Sequence, residues 1–179
     1  MALEVSLRPA RSTDVPALNA LIEGSARALS VGFYSSDQTE AAIRYVFGVD
    51  TNLVADGTYF VAEVGTTLVG CGGWSRRRTL YGGDQRPVGD ADWLDPHTEA
   101  ARIRAFFVHP DWARRGIGRR LLDACVAAAH AAGFRRLELM ATLPGVPLYE
   151  AGGFAPVERV TDELPDGTRI PFVRMARII

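Results

Sequence analysis

Only two cysteines occur among the 179 residues, Cys71 and Cys125. Two thiols build no disulfide framework of the kind that staples small secreted domains. Cys71 sits in Leu68-Val69-Gly70-Cys71-Gly72-Gly73 and Cys125 in an alanine-rich helical run, so both read as small buried hydrophobes. The three histidines, His97, His109 and His130, are widely spaced, with no partner at metal-ligand spacing, and no metal site is expected. No apolar run approaches the roughly 18 residues that span a bilayer. Met1-Ala2-Leu3-Glu4-Val5 lacks the basic and long apolar stretches of a secretion signal. A cytoplasmic chain with no membrane partner is the expectation. An excess of one charge is missing too: 20 basic and 21 acidic residues leave a formal net charge of -1. Nucleic-acid binders show a basic excess far more often, so no nucleic-acid partner is expected.

What the chain does have is apolar material, 47% of its residues, enough for one sizeable core. There is no internal repeat and no linker, and residues 1–179 read as a single domain. Leu3 to Arg8 alternates with period two, as a strand does. Ser12-Thr13-Asp14 offers helix-cap chemistry ahead of Val15, Leu18, Leu21 and Ile22 at helical spacing. Ser35 and Gln38 form a capping box for a second helix, with Ala42, Ile43, Val46 and Phe47 as its apolar face. Thr58–Val64 and Thr67–Trp74 read as a hairpin, and the glycines of the second strand mark a bulge or a close backbone approach.

Residues 75 to 100 are the least regular stretch. A loop of that length is uncommon in a compact domain unless it serves a substrate. Asp84, Asp90, Asp92, Asp95 and Glu99 nearly balance Arg76, Arg77, Arg78 and Arg86 there, so no charge preference for an acceptor follows. Arg102–Val108 is a strand, and its alternate arginines predict a wetter face near its beginning. A long helix follows, with Leu121, Leu122, Cys125, Val126 and Ala129 on its apolar side and Gly133 as its stop. Arg135–Ala141 is the next strand. A short proline-punctuated helix spans Leu148–Ala151. A closing hairpin runs from Phe154–Val160 to Thr168–Arg177 through Pro165-Asp166-Gly167. The fold class is α/β, a single mixed, largely antiparallel sheet flanked by helices.

Chemistry concentrates in Arg114-Arg115-Gly116-Ile117-Gly118-Arg119. A strand ends at His109-Pro110 and a helix opens a few residues later. Its first N–H groups have no helical partners. Gly116 and Gly118 let an anion reach the backbone, and the helix end adds positive potential. A pyrophosphate is the natural guest. Other nucleotide motifs do not fit. No Gly-x-x-x-x-Gly-Lys-Ser/Thr run exists, the third glycine of Gly-x-Gly-x-x-Gly is absent, and no serine sits in a Gly-x-Ser-x-Gly elbow.

The segment Val108 to Leu122 resembles the acetyl-coenzyme A site of the GNAT superfamily of N-acetyltransferases. Leu148-Tyr149-Glu150-Ala151-Gly152-Gly153-Phe154 resembles its later Leu-Tyr-x-x-x-Gly-Phe motif, and the element order is similar across nearly the whole chain. The family's Gln/Arg-x-x-Gly-x-Gly/Ala segment maps its glycines to Gly116 and Gly118 and its first residue to Ala113, where this chain departs from the pattern. The family often has an asparagine ahead of its tyrosine, and residues 141–146 contain none.

The resemblance implies acetyl-coenzyme A as co-substrate. Its phosphates would meet the backbone of Arg114, Arg115, Gly116, Ile117, Gly118 and Arg119. Its pantetheine arm would lie along Phe106, Phe107 and Val108. The implied reaction is direct attack of a primary amine on the thioester in a ternary complex, with Tyr149 as general acid. A small-molecule acceptor is favoured over a protein, and the resemblance makes a homodimer plausible, although monomers are also common among such proteins. His97, Glu99 and Glu138 are candidates for a base that takes the amine's proton, alongside water or an amine arriving neutral. A catalytically idle acyl-coenzyme A binding or sensing domain stays open as the second class of function.

Overall fold

The computed structural model describes residues 4–86 and 92–179. Leu3 of the expected first strand and Asp90 of the acidic stretch lie outside the described residues. The strands are β1 (Val5–Pro9), β2 (Tyr59–Val64), β3 (Thr67–Ser75), β4 (Ala101–Val108), β5 (Arg136–Thr142), β6 (Ala155–Glu163) and β7 (Arg169–Ile178). They form one seven-stranded sheet in the order β1-β2-β3-β4-β5-β7-β6. Every neighbouring pair is antiparallel except β4 and β5. The helices are α1 (Val15–Leu29), α2 (Ser36–Tyr45), α3 (Thr51–Asp56), α4 (Ile117–Ala131) and α5 (Val146–Ala151).

Strand alternation sorts the core into two faces. Tyr59, Val61, Cys71 and Phe172 pack with α1, α2 and α3. Phe154, Leu137, Leu139, Ala141 and Met175 pack with α4 and α5. α1 buries Leu18, Leu21 and Ile22, and the turn before it is braced by Asp14, which accepts from the Arg11 N–H at 2.7 Å. α2 carries the expected capping box: Ser35 Oγ accepts from the Gln38 N–H at 3.1 Å and Gln38 Oε1 from the Ser35 N–H at 3.0 Å. α4 buries Leu121 and Leu122 completely. Truncating either leucine to alanine costs about 2–5 kcal/mol in a rigid core. Gly133, at φ 96°, ends this segment in the left-handed region that glycine favours.

The feature that positions the site is a gap in the sheet. β4 and β5 pair only at Ala101↔Leu137 and Arg102↔Glu138. β5 gives its other edge to β7 along its whole length, and β4 gives its other edge to β3. The β3–β4 register shifts between Cys71 and Gly73, beside Ala105 at φ 53°. Such a bulge bends its strand. Beyond the first rungs β4 and β5 therefore diverge, and among the described residues their facing edges have no strand partner.

Three expectations need correction. The sequence showed no helix at 51–56, where α3 stands, capped by Asp50, whose carboxylate accepts from the Asn52 N–H at 2.9 Å. Six residues are too few to display a helical period. Val46 and Phe47 lie just past the end of α2 rather than on it, and are buried there. The wetter face expected at the start of β4 does not exist. Arg104 is 2% exposed, because its guanidinium donates to Asp50 Oδ2 at 3.0 Å, to the Thr79 carbonyl at 3.2 Å and to the Gly82 carbonyl. Arg102 is half-buried against Glu138 at 2.7 Å. The described portion of 75–100 beyond β3 is irregular, as expected, and is tied down by Arg77 on Asp56 at 2.7 Å and Arg78 on Glu99 at 2.6 Å.

Candidate active site

A cavity of about 560 Å³ occupies the gap between β4 and β5. Phe106 belongs to the α4–α5 face of the sheet and Phe107 to the α1–α3 face, and both line it. The cavity therefore threads the sheet from one face to the other. At one end stand the start of α4 and α5. At the other stand the end of α1, the segment after α2, and the loop Leu80–Gly83.

The first end is built locally. After β4, Pro110–Trp112 makes one tight helical turn in which the Asp111 N–H donates to His109 Nδ1 at 3.2 Å. Arg114 (φ 63°) and Gly116 (φ 79°) then turn the chain into α4. Among the described residues no side chain caps α4. Its ladder begins with the Arg120 N–H donating to the Gly116 carbonyl at 3.0 Å, so the N–H groups of Ile117, Gly118 and Arg119 lie ahead of it. Gly116, Ile117, Gly118 and Arg119 line the cavity together with Ala113 and Arg114.

The two glycines serve different needs. A Cβ on Gly116 would meet no atom within 4 Å, so only its positive φ requires glycine inside the chain. A Cβ on Gly118 would stand 3.1 Å from Leu148, so that glycine lets α4 approach α5. The arginines also divide. Arg119 binds Asp123 at 2.9 Å and the Ala151 carbonyl at 3.0 Å while lining the cavity. Arg115 does not line it; its guanidinium lies over the Trp112 ring, 5.0 Å from the centroid.

Tyr149 lines the cavity wall. A tight turn over Leu143–Gly145, closed by the Gly145 N–H donating to Thr142 Oγ1 at 3.2 Å, leads directly into α5. The Tyr149 ring lies edge-on to Phe106 (centroids 6.1 Å apart) and to Phe154 (6.0 Å). Its packing on Phe154 is thus real, yet its hydroxyl has no hydrogen-bond partner among the described residues. Burial pushes the phenol well above its ordinary pKa, so it stays protonated at neutral pH. The other cavity tyrosine, Tyr81, donates its hydroxyl to Asp162 at 2.9 Å. Tyr34 donates to the Pro171 carbonyl at 2.7 Å and Tyr59 to the Ala105 carbonyl at 2.8 Å.

The three candidate bases are elsewhere. Among the described residues no histidine or carboxylate lines the cavity. Glu99 is held below the ordinary carboxylate range, chiefly by its hydrogen bond with Arg78 and then by the Asp95 N–H. Glu138 is held between Arg102 and Arg174. No group of metal-binding side chains occurs among the described residues. Both cysteines are buried, and burial pushes the Cys71 thiol up to about 12, which suits packing and not reactivity.

Phe106, Phe107, Val108, Arg114, Gly116, Ile117, Gly118, Arg119 and Tyr149 thus share one cavity. No motif in the sequence marked its other end: Ser25, Ser30, Phe47, Arg104, Met140 and Phe172. These come from segments far apart in the chain. The irregularity of 75–100 was the one usable signal, since Leu80–Gly83 belong to that wall.

Residues 24–154 match the Acetyltransferase (GNAT) family, and the chain belongs to it. No curated protein matches the chain. Among solved structures, a GCN5-related N-acetyltransferase from Rhodopseudomonas palustris, also titled Aminotransferase, Class-II, superposes with a TM-score of 0.73 at 21% identity, covering 100% of this chain and 99% of that one. The PaiA N-acetyltransferase of Thermoplasma acidophilum, solved with coenzyme A, has a TM-score of 0.66 at 14% identity, with 98% and 99% covered. The ribosomal-protein-S18-alanine N-acetyltransferase of Escherichia coli has a TM-score of 0.59 at 19% identity, with 98% and 94% covered. At such identities the likeness is one of fold. No described helix is long and apolar enough to cross a membrane.

Proposed function

We propose that this chain, acting as a single domain in the cytoplasm, transfers an acetyl group from acetyl-coenzyme A to a primary amine within a ternary complex. The observation that carries the proposal is one cavity holding both an uncapped helix start and the unpartnered hydroxyl of Tyr149. The N–H groups at Ile117, Gly118 and Arg119 suit a pyrophosphate. The strand edges freed where β4 and β5 diverge can pair with the amides of a pantetheine arm, flanked by Phe106, Phe107 and Val108.

The thioester supplies the acyl group: the amine nitrogen forms the new C–N bond, the C–S bond breaks, and its electron pair leaves on sulfur. A thiolate is costly in an apolar site unless a proton is at hand. Tyr149 gives its hydroxyl proton to the departing sulfur and regains one from solvent. The amine gives up one proton to water before attack and a second from nitrogen once the C–N bond has formed, the latter offsetting through solvent the proton Tyr149 regains, since no base candidate lines the cavity among the described residues. Burial itself favours the neutral amine, because desolvation penalises the ammonium form.

Free coenzyme A should appear faster when an amine is added, and Tyr149→Phe should lower kcat by roughly 10²-fold with acetyl-coenzyme A affinity within a few-fold. A single-turnover measurement is the proper readout, since slow product release hides a chemical defect. Saturable coenzyme A binding with no amine-dependent thiol release would instead mark a binding or sensing domain.

A further inference from the structure

The far end of the cavity has a chemical character of its own. Ser25, in the last turns of α1, is 3% exposed, and Ser30, which ends that helix, is 4% exposed. Both line the cavity, and neither hydroxyl has a hydrogen-bond partner among the described residues. Those residues also contain no buried side-chain polar atom that is both sealed from solvent and unpaired. The two hydroxyls therefore open onto the cavity. Buried polar groups are almost always paired, so an open pair of this kind is suited to a guest.

The surrounding wall is aromatic and apolar. Phe47 meets Phe107 edge to face with centroids 5.5 Å apart, and Tyr81 meets Phe172 at 5.6 Å. Leu29 and Met140 complete this stretch of the lining. The turn that carries Leu29 and Ser30 continues into Val31 and Phe33, which are 76% and 50% exposed. Among the described residues the one cation lining this end, Arg104, is offset by Asp50 at 3.0 Å. With no carboxylate on the wall among the described residues, a polycation would lose its water and gain no counter-charge.

We propose that this chamber selects the acceptor: a primary amine on an aromatic body that carries one hydrogen-bonding group, with Ser25 and Ser30 receiving that group. This rests on the acetyltransferase reading above, which supplies the amine. The aromatic body stacks against the rings, and the hydroxyls set its orientation.

Two readouts separate the two ideas. The first is calorimetry on protein saturated with coenzyme A, titrated with tyramine, phenethylamine and spermidine. The second is thiol release from acetyl-coenzyme A with the same amines. Tyramine should bind tightest and spermidine at least about tenfold more weakly, a factor that one desolvated, unpaired charge readily exceeds. Ser25→Ala with Ser30→Ala should weaken tyramine about tenfold and phenethylamine less than twofold, since phenethylamine has no hydroxyl to lose. Spermidine binding as well as tyramine, or an unchanged tyramine affinity in the double variant, overturns the chamber's assignment even if acetyl transfer proceeds. The predicted binding order without thiol release supports the chamber and sinks the transferase reading instead.

Discussion

The two ends of the cavity are held in opposite ways. The end at α4 is a contiguous turn: Ala113 to Arg119 build it from backbone, with two positive φ angles and an uncapped helix start. The chamber at α1 is assembled from residues 25, 30, 47, 80–83, 104, 140 and 172. It is kept in shape by side chains that reach far along the sequence. Arg104 joins Asp50, Thr79 and Gly82, and Tyr34 joins Pro171 and Leu143. A site whose groups are backbone N–H tolerates side-chain change around it. A site framed by buried polar ties does not. The first arrangement suits a ligand held through its phosphates, the second a ligand held by particular side chains.

Breaking the Asp50–Arg104 tie should produce the largest effect. Asp50→Ala leaves a cation in an almost sealed position and removes the cap of α3. Stripping one partner from a buried pair costs about 3–5 kcal/mol, measurable by urea denaturation. At temperatures where the variant stays folded, the acceptor KM should rise while the dissociation constant for coenzyme A changes less than about threefold. Equal damage to both would show that the two ends are not independent.

Alkaline pH should test the second tie. Burial pushes the Tyr34 phenol up to about 12, against an unfolded value near 10. The stability it contributes is present below pH 10 and is lost as pH rises from there through 12. A shift of that size corresponds to about 2–3 kcal/mol. The difference between wild-type and Tyr34→Phe denaturation midpoints should therefore narrow across that window. A constant difference from pH 8 to 12 would mean that Tyr34 ionises as freely in the folded chain as in the unfolded one.

The smallest effect is expected at the local end. Gly116→Val places a β-branched side chain at φ 79°, where only glycine is comfortable. The strain is about 1–2 kcal/mol, so the dissociation constant for acetyl-coenzyme A should rise about tenfold by isothermal titration. Acceptor binding to protein already saturated with coenzyme A should hardly move. An unchanged affinity in the folded variant would remove the phosphates from this turn.

The contrast also explains what could be read in advance. Most elements were legible, because period-two alternation in β1, the strand composition of β2 and the apolar spacing of α4 are local signals. The capping box of Ser35 and Gln38 and the stop at Gly133 are local as well. α3 was hidden because six residues show no period. The buried state of Arg104 was hidden because an arginine in a strand reads as exposed until its distant partner is known. Tyr149 was legible as a motif position. That its hydroxyl, unlike that of Tyr81, has no partner among the described residues is a fact about neighbours in space.

By itself, then, the sequence determined the order of elements, apart from α3, and the glycine-bearing helix start at Gly116 to Gly118, since each depends on residues within a few positions of one another. Tertiary structure decided the rest. The bulge near Ala105 and the hold of β7 on β5 draw apart strands that would otherwise pair, and so create the cavity. Folding also carries Ser25, Phe47, Arg104 and Phe172 to its far wall, and no local pattern could announce this. Packing acts between residues that are neighbours only after the chain has closed on itself.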